Sequence, residues 1–456
     1  MADSGLEDSQ AAVAAAFRRE YGRTVAVLLR SFGDLDLVED AVQDAFAAAA
    51  ATWPTRGVPP NPQAWIVLAA RRAALDRVRR AATARRQMPE PPAVAAPAFA
   101  ELDDELRLIL LCAHPSLSSE SQVALTLRFV GGLTTEEIAR VFGVPSATIG
   151  QRLSRAKAKV RDAGVPLRLP EPERWRDRID VALAVIYAIY NEGYVATRGE
   201  LRRSELLREG VHLARRLREL APADPEAAGL LALLLLLQAR DPARASPDGS
   251  IVPLPDQDRS RWDAALIAEG HALVRGFLRA GSPGPYQLQA AIQAVHCDAA
   301  TDADTDWAQI LALYDHLLAL YPSAGARTAR AVAVGKVSGP EAGLSALEEC
   351  GDDQYVLAVR ADLLGQLGRH DEAALVFRAA ADSTDNIRER EHLERRAAHA
   401  AQRSPTPPGD VPARYLRRNV GNEPERDGGT ENAPASEEAR AFSVSVSAGP
   451  AGADQL

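Results

Sequence analysis

Leu133-Thr134-Thr135-Glu136-Glu137-Ile138-Ala139-Arg140-Val141-Phe142-Gly143-Val144-Pro145-Ser146-Ala147-Thr148-Ile149-Gly150-Gln151-Arg152-Leu153 carries the start, turn and restart signals of two short helices in succession. Thr134 and Glu137 have capping-box spacing, in which the hydroxyl and the carboxylate each satisfy an orphan backbone N–H. Ala139 is small enough for two helices to approach, and Gly143 supplies the positive φ of a tight turn. Pro145 presets the second helix, and Ile149 closes the core between the two. That second helix exposes Gly150, Gln151, Ser154 and Arg155 on one side. It runs into Arg152, Arg155, Lys157, Lys159 and Arg161 with no acid before Asp162. A base-reading side flanked by phosphate clamps is the layout of a recognition helix. The plainer alternative is a helical hairpin with solvated cations, and the strength of the start, turn and stop pattern disfavours it.

Upstream, Gln63 to Arg80 is a helix former, apolar at its start and arginine-rich at its end. Between Arg71 and Arg86 stand seven arginines against the single Asp76. A proline-held loop, Pro54 to Pro62, precedes it, flanked by Trp53 and Trp65. Aromatics beside arginines suit single-stranded bases, where stacking contributes about 1–3 kcal/mol per base. Both tryptophans fit a core as well, and Trp53 is expected there. Further upstream, Leu35, Val38, Val42 and Phe46 form a buried helical stripe, while Asp36, Asp40 and Asp44 stack on another face with Glu39 beside them. Like charges at that spacing repel. The row is either a solvated face or a surface that awaits a basic partner.

The chain has 456 residues, long enough for about three domains, and is 46% hydrophobic with only 5% aromatic residues. Alanine and leucine carry the apolar load, and β-branched runs are few, so an all-α fold is expected. Net charge is −9, which argues against nucleic acid only if charge is evenly spread, and the basic blocks show that it is not. Cys112, Cys297 and Cys350 are too scattered for a disulfide framework or a CxxC metal site, which fits a reducing cytoplasm. The acidic start has no hydrophobic segment, and the apolar run Ala227–Leu237 is too short to span a bilayer, so no membrane role is expected. Met88 to Pro97 holds four prolines in ten residues and reads as an extended linker. A second boundary follows at 165–172, and from Ser404 onward the composition is that of a disordered tail.

From Phe17 to Leu169 these residues resemble the extracytoplasmic-function group of bacterial sigma factors, the minimal members of the sigma-70 family. The resemblance implies two small helical domains, residues 10–83 and 102–168, joined by a flexible linker at 84–101. It implies that Asp36, Glu39, Asp40, Gln43, Asp44 and Phe46 dock on the clamp helices of the largest subunit of core RNA polymerase, which would give the acid row its purpose. Arg56, Asn61, Gln63, Trp65, Arg71, Arg72, Asp76, Arg77, Arg79 and Arg80 would melt and read the minus-ten promoter element. Thr135, Ser146, Thr148, Gly150, Gln151, Arg152, Ser154, Arg155, Lys157 and Lys159 would read the minus-thirty-five element. Two departures bear on promoter sequence: Arg72 stands where the family usually has Asn, and Gly150 offers no side chain at a base-facing position. The competing reading is a polymerase-independent helix-turn-helix regulator with a ligand-sensing helical domain, which leaves the acid row unused.

Most minimal members end near Arg161, whereas this chain continues. Ile186–Tyr194, Asp256–Trp262 and Gly284–Ile292 resemble the subgroup with a C-terminal helical extension, here residues 171–402 ahead of a tail at 403–456. Leu364–Phe377 resembles a tetratricopeptide hairpin, and Gly339-Pro340-Glu341-Ala342 looks like an earlier copy, with Glu341 and Glu372 close to one repeat period apart. A stacked-hairpin solenoid is expected, modulating the sigma module, and its face either takes a protein or peptide or is purely structural. No enzyme chemistry, cofactor or metal is expected. Asp302-Ala303-Asp304-Thr305-Asp306 lacks the glycine and the final glutamate of a calcium loop, and Asp306 reads as an N-cap. Gly335-Lys336 is no phosphate loop, Gly281–Gly284 is no nucleophile elbow, and His296 beside Cys297 reads as packing. Asn191-Glu192-Gly193-Tyr194 either lines a pocket or ends a helix with Gly at the C-cap.

Overall fold

The computed structural model describes residues 2–85, 101–114, 116–142, 144–162, 175–195, 203–278 and 283–403. The proline-rich linker, the boundary at 165–172, Gly143 and the tail from Ser404 lie outside them. Among the described residues all regular structure is helical, apart from one isolated bridge between Ala245 and Ile251. The chain divides into two compact units, residues 1–185 and 186–456.

The first unit starts with α1 (Ala2–Phe32), α2 (Leu35–Arg56) and α3 (Pro62–Arg85), which pack on one another. Gly33 follows α1 with its backbone in the left-handed region, φ 71°. The Asp34 carboxylate then caps α2 by accepting from the Asp36 and Leu37 amides. Val38, Val42, Ala45 and Trp53 of α2 are buried, so the stripe expected from the sequence forms the core and Trp53 belongs to it. The loop expected from Pro54 to Pro62 is shorter than that. Pro54 sits inside the last turn of α2, and the chain leaves the helix only at Gly57, whose amide donates to the Trp53 carbonyl at φ 81°. Asn61 then caps α3, its Oδ1 accepting from the Ala64 amide at 3.0 Å.

α4 (Glu101–Cys112), α5 (Ser119–Phe129), α6 (Thr135–Phe142) and α7 (Ser146–Asp162) follow in the same unit. The two small domains that the sequence separates by a linker lie against each other here. Arg30 of α1 pairs with the buried Asp104 of α4 at 3.2 Å. A Cβ at Gly22 of α1 would stand 2.6 Å from the Val130 carbonyl oxygen, so this crossing admits only glycine.

α8 (Trp175–Tyr194) runs on into the second unit, where α9 (Ser204–Leu220), α10 (Pro225–Arg240), α11 (Ala264–Leu278) and α12 (Pro285–Asp298) follow. The apolar run at 227–237 makes α10 a helix buried on all sides, wrapped by α9, α11 and α12. The Glu226 carboxylate caps α12 from outside by accepting from the Tyr286 and Gln287 amides. Gly229 lets α10 approach closely, since a Cβ there would meet the Gln287 nitrogen at 2.7 Å. Gly193 is no C-cap: α8 runs through it, and a Cβ would lie 2.6 Å from the Leu207 nitrogen. The neighbouring motifs are structural as well. Arg244 lies 3.4 Å from the Tyr194 ring centroid, and Arg259 donates to the carbonyls of His296 and Ala299.

Beyond these come α13 (Trp307–Leu320), α14 (Ala324–Ser338), α15 (Pro340–Ala346), α16 (Gln354–Gln366), α17 (His370–Asp382) and α18 (Ile387–Gln402). Each packs on its chain neighbours, the one-dimensional order of a helical solenoid. The two copies read from the sequence correspond to α14–α15 and α16–α17, turning at Gly339 (φ 93°) and Gly368 (φ 76°). Asp306 caps α13, its carboxylate accepting from the Gln309 amide at 2.9 Å, and His296 packs edge-on against the Trp307 ring.

Candidate nucleic-acid interface

The helix-turn-helix is built as its residues require. The Thr134 amide donates to the Glu137 carboxylate at 2.7 Å, and the Glu137 amide donates to the Thr134 hydroxyl at 3.2 Å. These two bonds complete the capping box. Ala139 and Ile149 are buried between α6 and α7. Ser146 opens α7, with Thr148 half-buried in its first turn. Ile149, Leu153, Ala156 and Val160 pack inward, which turns Gly150, Gln151, Ser154, Arg155 and Lys159 to the outside. Nothing lies within 4 Å of a Cβ built at Gly150. Thr135 stands half-buried at the first position of α6.

Two residues expected on that reading face are placed elsewhere. Arg152 turns back into the domain, pairing with Glu120 at 2.7 Å and lying 4.9 Å from the Phe142 ring centroid. The helical period puts it on the flank of α7 that faces α5, where it braces the motif. Lys157 reaches across to α2: its Nζ lies 3.0 Å from the Glu39 carboxylate and 2.5 Å from that of Asp36. Arg161 adds a contact to Asp36 at 3.2 Å.

The acid row therefore has basic partners inside its own unit. Arg128 of α5 donates from Nε to Glu39 at 2.6 Å and from Nη1 to the Leu133 carbonyl, with its side chain 10% exposed. Arg77 of α3, expected on promoter DNA, instead bridges Asp40 at 2.9 Å and Asp44 at 2.8 Å. It lies one helix away from the row, so the repulsion among the acids is relieved locally. Burial pushes the Asp36 carboxyl up, but Lys157 and Arg161 outweigh it and hold the group below the usual carboxylate range. Burial likewise pushes the Lys157 amine down, and Asp36 with Glu39 outweigh it and raise it. Gln43 is exposed beside the row, whereas Phe46 faces inward. It packs on Phe17 with ring centroids 4.8 Å apart, because it lies on the apolar stripe and not on the acidic face.

On α3, Arg72, Arg79 and Arg80 are exposed with Leu68, while Gln63, Trp65 and Arg71 are half-buried. Trp65 lies edge-on to the buried Trp53 at 5.7 Å, which fixes its ring at the start of the helix. Asp76 pairs with Arg79 at 3.7 Å, and Arg56 is exposed at the end of α2. Arg128 stands in no motif of the sequence, and Arg161 enters only as the end of its basic run. A cation near the end of an amphipathic helix does not name a partner that lies 89 or 125 positions away.

Three family models match parts of the chain. Residues 16–84 match the model of sigma-70 region 2, and residues 107–160 match that of sigma-70 region 4. Residues 178–277 match a family of unknown function, DUF6596. The chain is 39% identical over 401 residues to uncharacterized protein R00370 of Rhizobium meliloti (strain 1021), covering 83% of this chain and 93% of that protein. It is 29% identical over 175 residues to the probable ECF RNA polymerase sigma factor SigI of Mycobacterium tuberculosis, covering 36% of this chain and 59% of that protein. No solved structure matches. Among the described residues no helix is long and apolar enough to cross a membrane. With a region 2 bundle, a region 4 helix-turn-helix and a helical C-terminal part, the chain belongs to the extracytoplasmic-function sigma factors of the sigma-70 family and carries a C-terminal extension.

Proposed function

We propose that the chain is a promoter-specificity subunit that binds core RNA polymerase through the acidic face of α2, engages the melted minus-ten strand with α3, and reads minus-thirty-five duplex with α7. The observation that carries this reading is the capped helix-turn-helix presenting Gln151, Ser154, Arg155 and Lys159 outward from a packed core. Arg155 is the base reader and Lys159 the phosphate clamp. On the α3 side, Arg72, Arg79 and Arg80 track the strand and the half-buried Trp65 is the aromatic on which a base stacks.

The ion pairs between α2 and the cations of α5 and α7 form a clasp that closes the polymerase-binding face. Lys157 and Arg161 cannot hold DNA phosphates and the acid row at once. Polymerase on α2 and DNA on α7 therefore favour the same open form, and each raises the affinity for the other by linkage. The helical extension modulates this module in cis and offers its own face to a peptide. Run-off transcription with purified core polymerase tests the reading: addition of the chain yields discrete transcripts from a subset of promoters. DNA binding with no transcript in the presence of core would favour a polymerase-independent regulator.

A further inference from the structure

The last helix of the extension has two working faces. Leu393, Ala397 and Ala400 of α18 are buried in the cluster that α16 and α17 share. On the adjoining face His392, Arg395, Arg396, His399 and Arg403 recur at three and four residues, where a solenoid helix awaiting another repeat would carry apolar side chains. This basic stripe lines a groove of about 750 Å³, walled on its other sides by the 250–256 loop, α16 and α17. Its volume is that of a ligand site. Its apolar surface includes Ile251, Pro253, Ala373 and Phe377.

The charges of the groove are unevenly matched. Of its two carboxylates, Asp362 is taken by Arg396, whose guanidinium also covers the Phe377 ring at 4.6 Å, and Asp256 stands exposed on the loop. Arg395 and Arg403 are exposed, and among the described residues neither side chain has an ion-pair partner. Cations beside an apolar floor suit a peptide that brings both carboxylates and small apolar residues, more than they suit a bare phosphate.

The chain supplies such a segment. Residues 421–438 hold Glu423, Glu425, Asp427, Glu431, Glu437 and Glu438 against the single Arg426, interspersed with Pro424, Ala433, Pro434 and Ala435. Residues 404–420 connect it to Arg403, itself on the groove. That connection reaches up to roughly 60 Å when extended, whereas α18, with 16 residues, is about 24 Å long, so the segment can lie back along the whole stripe. Tethering sets the effective concentration near millimolar, so modest contacts suffice to fill the site.

We propose that the groove between α18 and the 250–256 loop binds the acidic segment 421–438 of the same chain, with Arg395 and Arg403 as its principal carboxylate contacts.

The test uses the full chain and a fluorescein-labelled synthetic peptide of residues 421–438, followed by fluorescence anisotropy. A full-length variant carrying E423Q, E425Q, D427N, E431Q, E437Q and E438Q has lost its own competitor. It is expected to bind the peptide at least tenfold more tightly than the wild-type chain does, with affinity falling as salt rises. Adding R395E and R403E to that variant is expected to abolish binding while circular dichroism keeps its helical amplitude, since both side chains are exposed. Equal affinity for the wild-type and neutralised chains would mean that the groove takes some other acidic partner, and would overturn the proposal. So would no binding to either, or binding indifferent to R395E and R403E. Neither polymerase nor DNA enters the measurement, so its outcome is separate from that of the sigma reading.

Discussion

Gly150 is a helix-interior glycine with no neighbour within 4 Å of its missing Cβ, so nothing in the fold requires it. Gly150→Ala is expected to stabilise the protein by up to about 1 kcal/mol, read by urea unfolding, because alanine removes the backbone-entropy penalty of glycine in a helix. A glycine kept there at that cost points to a ligand that needs the room, and DNA against α7 is such a ligand. Two neighbours separate base reading from backbone holding. Arg155→Ala is expected to lose about 1–3 kcal/mol on the preferred sequence only, and Lys159→Ala to weaken all duplexes alike. A uniform loss for both, measured by titration on matched and scrambled duplexes, would remove Arg155 from base reading. Trp53 and Thr134 were legible from sequence because their roles are set by residues within a turn or two. Lys157 was legible as a cation and not as a partner of Glu39, because no local period encodes a contact across more than a hundred positions.

Among the elements, the clasp of α2 with α5 and α7 has a definite pH window. The Asp36 carboxyl lies lower in the folded chain than in the unfolded one, so its contribution is present above the ordinary value of about 3.9 and is lost as pH falls through the lowered one. The Lys157 amine is raised, so its contribution is complete below about 10.4 and is lost as pH rises through the raised value. Fluorescence transfer between labels on α2 and α7 is expected to stay constant between about pH 5 and pH 9 and to fall on the acid side first. Breaking the clasp by charge is the companion experiment. K157E with R161E is expected to strengthen binding to core polymerase severalfold, since the exposed Arg161–Asp36 pair alone holds about 0.2–1 kcal/mol, while weakening DNA binding. Unchanged affinity for core would mean that the acid row is not masked. The helices themselves were readable from their stripes and caps. Their ends were less so where proline and glycine act against type: Pro54 is absorbed into a final helical turn, and Gly193 serves a helix crossing.

Over the full chain, the all-α fold followed from an Ala- and Leu-rich composition and from caps such as Asp306, and the repeat at Glu341 and Glu372 marked two of the extension's hairpins. The packing of α1 against the α5–α6 turn was not foreseeable, because its sequence traces are Gly22 and Gly132, ordinary residues in a long helix and a turn. The same packing brings the acid row and the recognition helix into one unit, so the sigma reading stands on whether that row serves polymerase. The deciding experiment is co-elution of the purified chain with bacterial core RNA polymerase on size exclusion, beside the variant with Asp36, Asp40 and Asp44 changed to Ala. The wild-type chain is expected to co-elute, and the triple variant, with its helical content unchanged, is not. Equal co-elution of both would contradict docking through the acidic face of α2, and failure of both would contradict the sigma reading itself.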